Sequence, residues 1–526
     1  MNNLYVFAIG GSGERIMYSM LMMMAAGMPI NAHTVIPVFV DNDEKSNALD
    51  KCTKLIKYYR GPSKDGVGMH SLYADAELGD SAIPSFAQVN IAEPRMLNLA
   101  GDQIGNLNSI IGRINNDDSL ERAIGEERDL LFTTDDLEMP LNVGFVGNPN
   151  IGTVVLNSLS FQVDDFQSIK SDISNNDGVI VLGSLFGGTG AAGFPLIINK
   201  FYTEDEAHCP LLGGVSVLPY FTLTDKDKTD GILDTDRWDV KSETFDTKTR
   251  AALMYYADYM KNMHYRYYVG DDQRRQYEHY VGGDKQKNPV NMIEVMAALS
   301  IFDFAKQSKP DNIVYKRPQW RFKDDEAASV SNVSGILNKD LKRALIKFQM
   351  LKSLFFESCF LKDDIAQARS HVENIGFSTK HLEACVNEGK INQYSQAWGL
   401  FHIFDEWDKW INDLRDEKAK RQLQLFDKSQ AITIDNITKL FFSDDADGLG
   451  IARMLTRREG SIFNRRTVIY PAKPDIAQQL TEAYRELYPR GSKNDAANIT
   501  DNQRLGKLLQ ILSLALDKVI DKNCAI

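Results

Sequence analysis

Residues 185–195 read LFGGTGAAGFP, and this stretch is the strongest indication of fold class in the chain. The apolar run GVIVLG occupies residues 178–183 before it, and a helix-like apolar run covers residues 191–198. This order predicts a strand, a glycine loop and a helix. Backbone N–H groups at such a helix start attract anions, and glycine lets a phosphate approach the main chain. We therefore expect four loop residues to bind phosphate: Gly187, Gly188, Thr189 and Gly190.

The loop matches neither of two common nucleotide motifs. No Gly-Lys-Ser/Thr follows it, so it is not a Walker A loop, and its spacing differs from GxGxxG. A second interpretation stays open, in which the glycines serve only a tight turn between a strand and a closely packed helix. Four glycines and a threonine within seven positions favour the phosphate-binding interpretation.

The N-terminal segment follows the same order. LYVFAI at residues 4–9 is short and fully apolar, as in a central parallel strand, and GGSG follows at residues 10–13 before a predicted helix. VIPVFV at residues 35–40 predicts a second strand, which ends in Asp-Asn-Asp at residues 41–43. This β-loop-α-β opening is typical of a doubly wound α/β fold.

Further loops complete a candidate binding site. VGFVGNPNIG at residues 143–152 opens another predicted helix, and LGGVSVL at residues 212–218 predicts a strand that ends at Pro219. Because loops after parallel strands share the carboxyl edge of a sheet, we expect these loops to share one ligand. Asp41 and Asp43 supply hard oxygen ligands for Mg²⁺, through water. The first glycine loop adds backbone donors for phosphates: Gly10, Gly11, Ser12 and Gly13.

The string GGTGAAG resembles the glycine signature of the tubulin/FtsZ superfamily. The other loops are similar in order: a glycine loop after strand one, an Asn/Asp loop after strand two, and a Gly-Asn-Pro loop about 40 residues before the signature. The resemblance implies a tubulin/FtsZ-like α/β domain over residues 1–320, with a Rossmann-type parallel sheet and helices on both faces. A mainly α-helical domain over residues 321–526 follows.

The resemblance also implies a ligand and roles for individual residues. The ligand is GTP or GDP with Mg²⁺. Asp41 and Asn42 lie in the loop after strand two, Gly147 and Asn148 in the third loop, and Pro219 in a loop similar to the ribose-side loop. The first turn of the central helix reads the guanine base, and two residues compete for this role: Asn288 and Asn291.

Departures from the family pattern leave hydrolysis open. The interval from Asp43 to Gly144 spans about 100 residues, which predicts an insertion around residues 60–140. We do not find the acidic loop that reaches the neighbouring subunit's nucleotide in family polymers. Asp303 matches the Asp-Phe of that loop but lies in an apolar helical pattern, so it is interpreted as a solvent-facing residue at a helix end. Residues 443–448 are interpreted as a solvated acidic loop, with a supply of acids in trans as the alternative.

Composition narrows the class of protein. The chain has 526 residues, 43% of them hydrophobic, and a net charge of -12, which gives no strong nucleic-acid signal. It shows no basic signal segment, no run of 18 apolar residues to span a membrane and no paired cysteines, so we expect a cytoplasmic protein. Aromatic residues at helical spacing in residues 398–410 are interpreted as a core face, with a partner-binding face as the alternative.

Three functional interpretations stay open. The leading one is a self-assembling GTP-binding protein with Mg²⁺-dependent hydrolysis at subunit contacts. The second is a nucleotide-gated interaction module without catalysis, whose protein partner binds the helical C-terminal region. The third is an NAD-type Rossmann oxidoreductase, which Gly11, Gly13 and Asp41 fit in part, although Ile16 replaces the third glycine of GxGxxG.

Overall fold

The structure is a computed structural model that describes part of the chain. These residues are 1–41, 46–61, 68–69, 89–97, 105–111, 127–139, 141, 145, 147–159, 164–205, 208–224, 241–260, 262–271, 274–278, 287–321, 329–331, 335–352, 398–414, 509, 513–514, 516–518 and 520. The predicted acidic loop at residues 443–448 lies outside them.

Twelve strands occur in the described residues. They are β1 (Asn3–Ile9), β2 (Thr34–Val40), β3 (Asn90–Ile91), β4 (Arg95–Leu97), β5 (Gly178–Ser184), β6 (Leu211–Val217), β7 (Phe221–Leu223), β8 (Tyr265–Val269), β9 (Arg275–Tyr277), β10 (Val314–Lys316), β11 (Gln319–Arg321) and β12 (Ser329–Ser331). β1, β5 and β6 are buried over nearly their whole length, which is why they are almost continuously apolar in sequence.

The central sheet has eight parallel strands. Its order is β10-β8-β6-β5-β1-β2-β3, and β4 also pairs with β2. The chain builds the sheet outward from β1 in one direction and then outward from β5 in the other. This order confirms the predicted α/β class with a Rossmann-like parallel sheet, and the strand order reverses between β1 and β5.

Eleven helices of the described residues are labelled here in chain order. They are α1 (Gly10–Ala25), α2 (Asn47–Arg60), α3 (Leu107–Ile111), α4 (Thr134–Glu138), α5 (Pro149–Leu159), α6 (Asp164–Asp172), α7 (Gly188–Phe201), α8 (Phe245–Tyr259), α9 (Met292–Ala305), α10 (Gly335–Lys352) and α11 (Trp398–Leu414).

Helices cover both faces of the sheet. The alternate residues of β1 that begin with Leu4 share a buried core with α1, α2, α9, α10 and α11. The other residues of β1, beginning with Tyr5, share a second core with α3, α5, α6 and α7. The period-two alternation of strand side chains therefore divides the hydrophobic interior into two layers. β3 and β4 show that part of the predicted insertion at residues 60–140 extends the central sheet.

The aromatic stripe of α11 packs in the first of these layers. Trp407 and Trp410 are fully buried, and the Trp410 Nε1 donates a hydrogen bond to Ser19 Oγ at 3.3 Å. Tyr18 of α1 donates to Glu406 Oε2 at 2.9 Å. The core interpretation of the stripe is thus confirmed, and α11 contacts the helix that follows the first glycine loop.

Candidate functional site

Two helices begin at the point where the strand order of the sheet reverses. α1 starts at Gly10, directly after β1, and α7 starts at Gly188, four residues after β5. Gly10 has a φ of +66°, which lets the chain turn from strand to helix without a connecting loop. The predicted loop at residues 10–13 is therefore the first turn of α1. In doubly wound sheets this reversal is where ligands bind.

The starts of α1 and α7 touch each other. A Cβ built on Gly10 would lie 3.3 Å from Thr189 Cβ and 3.4 Å from the Gly190 amide nitrogen. Neither helix has a side-chain cap or an acidic residue in its first turn. Neither first turn therefore supplies a negative side chain to its own amide groups, and the positive ends of two helix dipoles converge. This arrangement is suited to an anion such as a phosphate chain.

Close packing explains several of the glycines. A Cβ on Gly13 would lie 2.8 Å from the Leu182 oxygen, and one on Gly190 would lie 3.0 Å from the Ser184 nitrogen. These positions exclude a side chain because helix and strand approach so closely. Close packing alone is therefore a sufficient reason for glycine at positions 13 and 190.

Gly11 differs from these glycines. A Cβ built on it would meet no atom within 4 Å, and the residue is only partly buried. Packing within the protein does not require a glycine at this position. The neighbouring residue Gly10 faces Thr189 and Gly190 of α7, so the open space at Gly11 lies on the same first turn of α1 that touches α7.

The third predicted loop lies against the start of α7. A Cβ on Gly188 would lie 2.8 Å from Phe145 Cβ and 3.1 Å from the Asn148 nitrogen. Gly147 has a φ of +69°, and the Asn148 amide donates to the Phe145 oxygen at 2.7 Å, which closes a tight turn before α5. The structure thus brings together the three glycine segments that the sequence predicts to share a site.

Lys248 reaches this loop from α8, and sequence reasoning missed it. Its Nζ donates to the Gly147 oxygen at 2.6 Å. Phe245, one turn earlier, packs its ring 4.6 Å from that of Phe186, next to the start of α7. Burial lowers the pKa of the Lys248 ammonium because the charged form loses hydration. In sequence the residue stands about 60 positions from the glycine signature, with no motif around it.

A largely buried ion pair joins the second turn of α1 to the first turn of α9. Arg15 Nη2 lies 2.6 Å from Glu294 Oε1, and Tyr220 donates to the same oxygen at 2.9 Å. Burial opposes the charge on Arg15, but Glu294 outweighs it and raises the pKa of the guanidinium. Arg15 also donates to the backbone oxygens of Asn288 and Pro289, at 3.1 and 2.7 Å. The start of α9 is thereby fixed against α1.

Both asparagines predicted to read a base lie at the start of α9. Asn291 caps the helix. Its Oδ1 accepts a hydrogen bond from the Ile293 backbone N–H at 3.0 Å, and its own backbone N–H donates to Glu294 Oε2 at 3.0 Å. Asn288 contributes its backbone oxygen to Arg15 and lines a narrow cleft of about 20 Å³, which is room for about one water molecule. The cleft lies between α1, α2 and the segment before α9, and its lining residues are Arg15, Tyr18, Asn47, Ala48, Lys51, Asn288, Val290 and Glu294.

The remaining predicted site residues lie at the same edge of the sheet or outside the described part. Because Ile9 pairs with Val40, Asp41 follows β2 beside Gly10. Pro219 follows β6 and is buried. Asn42 and Asp43 lie outside the described residues. Within the described ranges no group of three His, Cys, Asp or Glu side chains is arranged to hold a metal.

The interpretation of Asp303 as a solvent-facing residue is wrong. The residue is 2% exposed, and its Oδ2 accepts a hydrogen bond from Tyr267 at 2.7 Å and pairs with Lys316. The apolar helix places it against β8 and β10, where a charged partner and a phenol satisfy it. Asp303 therefore holds the end of α9 to the sheet and takes no part in the site at the other end of the strands.

The fold and the site define a doubly wound α/β protein with two glycine-led helix starts at its topological switch point. No model of a known protein family matches the chain, and no curated protein sequence matches it. No helix in the described part of the chain has both the length and the apolar character needed to cross a membrane.

Proposed function

We propose that this protein binds a nucleoside di- or triphosphate at the switch point and, by its resemblance to the tubulin/FtsZ superfamily, that the nucleotide is GTP or GDP. The convergence of the α1 and α7 first turns, both without acid or side-chain cap, is the observation that carries the proposal. A phosphate chain would accept hydrogen bonds from backbone amides that no side chain of either helix satisfies at its first turn.

We place the base and ribose beside the narrow cleft between α1, α2 and α9, which would have to widen to admit them because it holds only about 20 Å³. It lies one to two turns along α1 from Gly11, and Asn288 lines it. Asn288 keeps its side-chain amide for a ligand, whereas Asn291 uses its Oδ1 as a helix cap. Of the two asparagines, we favour Asn288 as the residue that hydrogen-bonds the base.

The residues present fit Mg²⁺ as a partner of the nucleotide more than as a resident metal. Asp41 stands beside Gly10, and the described residues hold no cluster of three acidic ligands. Magnesium usually keeps several waters and binds through one or two carboxylates and the phosphates of a substrate. Asp41 would hold such an ion, which supplies charge neutralisation at the phosphates.

Self-assembly and hydrolysis enter this proposal through the family resemblance. Asp136 lies at the Gly147 turn, where its Oδ1 accepts a hydrogen bond from the Asn148 side-chain amide at 3.2 Å. An acid that activates water would therefore come from this turn or from a second copy of the chain. The contact between α11 and α1 favours a second candidate, a nucleotide-gated module without catalysis. In such a module, a nucleotide bound at the first turn of α1 would change the position of α1, and α11 packs on that helix.

The first experiment measures binding of GTP, GDP, ATP and NAD by calorimetry, with Mg²⁺ or with a chelator. We expect GTP and GDP to bind and Mg²⁺ to strengthen binding of the triphosphate. No binding of any nucleotide would end the proposal, and binding of NAD alone would support an oxidoreductase instead. Turnover of GTP that rises more than linearly with protein concentration, together with GTP-dependent sedimentation, would support the polymer. Binding without turnover at any concentration would support the gated module.

A further inference from the structure

We propose that Lys248 distinguishes the triphosphate from the diphosphate by binding the terminal phosphate, an inference that rests on the proposed nucleotide site. The side chain comes from α8, outside every glycine segment that the sequence singles out. It would be the specificity-determining cation of the site.

The surroundings of Lys248 leave its charge without a counterion. Its Nζ donates to the neutral oxygen of Gly147, and among the described residues it forms no salt bridge. The nearby Asp246 forms an ion pair with Arg274, whose Nη2 lies 2.5 Å from the Asp246 Oδ1. A half-buried ammonium that lacks a carboxylate gains more from an arriving anion than a paired or fully hydrated one does.

The order of contacts across the site places this ammonium at one end. The cleft with Asn288 adjoins α1, the start of α1 touches Thr189, and Gly188 in turn touches the loop that carries Gly147. A nucleotide with its base at a widened form of this cleft and its phosphates along the α1 and α7 amides would extend toward that loop. The last phosphate of a triphosphate would therefore come nearest to Lys248.

Binding would exchange one acceptor for another. The ammonium would leave the Gly147 carbonyl, or share it, and donate to phosphate oxygens in a charge-assisted hydrogen bond, which is roughly twice as strong as a neutral one. Gly147 lies at a turn with positive φ that begins α5, so this exchange would change the restraint on the loop. With a diphosphate bound, the ammonium would stay on the Gly147 carbonyl.

Two substitutions separate the charge of Lys248 from its hydrogen bond. Lys248→Met removes both, whereas Lys248→Gln removes the charge and keeps a donor for the Gly147 carbonyl. Calorimetry would compare GDP with a non-hydrolysable GTP analogue, each with Mg²⁺. For both variants we expect affinity for the analogue to fall about 10- to 100-fold, as for loss of a hydrogen bond to a charged group, and GDP affinity to change by less than about twofold. Lys170→Met, which removes an exposed lysine of α6, serves as the control and should change neither affinity.

The outcomes separate this inference from the proposed function. Failure of the wild-type protein to bind either nucleotide would end both. Nucleotide binding by the wild-type protein, with equal losses for GDP and analogue in Lys248→Met and rescue by Lys248→Gln, would show that Lys248 only anchors the loop. Unchanged affinities in both variants would also overturn the inference and leave the nucleotide site standing.

Discussion

The first turns of α1 and α7 look alike in sequence and differ in structure. Both are glycine-rich and begin helices at the switch point without caps or acids. Gly188 of α7 is enclosed by the loop at Phe145, whereas Gly11 of α1 faces open space. Packing therefore explains much of the glycine content at the start of α7, whose sequence motif is the more conspicuous. Packing does not explain Gly11 at the start of α1.

The difference separates two reasons for glycine at a phosphate site. At Gly188, glycine lets a helix start approach a neighbouring loop, and a substitution should act on folding. At Gly11, glycine leaves room in front of the amides, and a substitution should act on the ligand. Measurements of stability and of affinity on matched variants test whether the two helix starts divide these roles.

The largest effect concerns what holds the α1 start in place. Arg15→Met should lower the free energy of unfolding by about 3 kcal/mol, because it leaves Glu294 buried without its cation. Chemical denaturation without nucleotide measures this loss. Arg274→Met, which breaks an exposed pair with Asp246, should cost about 1 kcal/mol or less. Equal losses in the two variants would show that the Arg15 pair does not hold α1 to α9.

Gly188→Ala tests the packing side of the comparison. The new Cβ would lie 2.8 Å from Phe145 Cβ and 3.0 Å from the Phe145 oxygen, so the loop must move. We expect a net loss of about 1–2 kcal/mol in unfolding free energy, since overpacking outweighs the better helix propensity of alanine. The thermal midpoint of the nucleotide-free protein reports the change. An unchanged midpoint would contradict a packing role for this glycine.

Gly11→Ala tests whether Gly11 leaves room for the ligand. We expect this substitution to raise stability and to lower nucleotide affinity. Because the Cβ meets open space and the residue is helical, stability of the nucleotide-free protein should rise by about 0.4–1 kcal/mol. Nucleotide affinity should fall about tenfold, equivalent to 1.4 kcal/mol, because the methyl group occupies the approach to the amides. Calorimetry on the same sample measures the second effect. Unchanged affinity would place the phosphates away from α1.

The sequence predicted the central strands well because they are buried on both faces. LYVFAI and GVIVLG are continuous apolar runs, and both became inner strands of the sheet. The segment at residues 10–13 was predicted as a loop and is the first turn of α1. The alternation of strands and helices predicted a parallel sheet, but the strand order came only from the structure.

Long-range pairings explain what the sequence did not show. Lys248 meets Gly147 across 101 positions, and Arg15 meets Glu294 across 279. Neither pair has a local motif, since each depends on how α8 and α9 return to the same edge of the sheet. Asp303 was misassigned for the same reason, because its partner Lys316 lies on a strand that helical periodicity does not reveal.

The smallest expected effect is a pH dependence that only Lys248 would give. Burial lowers the pKa of Lys248 below the usual 10.5. At pH values between the lowered pKa and 10.5, the unfolded chain therefore binds more protons than the folded protein. Stability of the nucleotide-free wild type, relative to Lys248→Met, should therefore rise as pH increases toward about 10. A terminal phosphate favours the charged ammonium, so affinity for the GTP analogue should fall over the same range, by at most about tenfold per pH unit.

These two slopes have opposite signs and come from one group, because subtraction of the Lys248→Met values removes the contributions of the other titrating residues. GDP provides the internal comparison, since its affinity should stay level if the ammonium remains on Gly147. A parallel fall for GDP would mean that Lys248 acts on the phosphates nearer α1. In that case the first turn of α1 and the Gly147 loop would both bind the phosphates, and α7 would mainly pack between them.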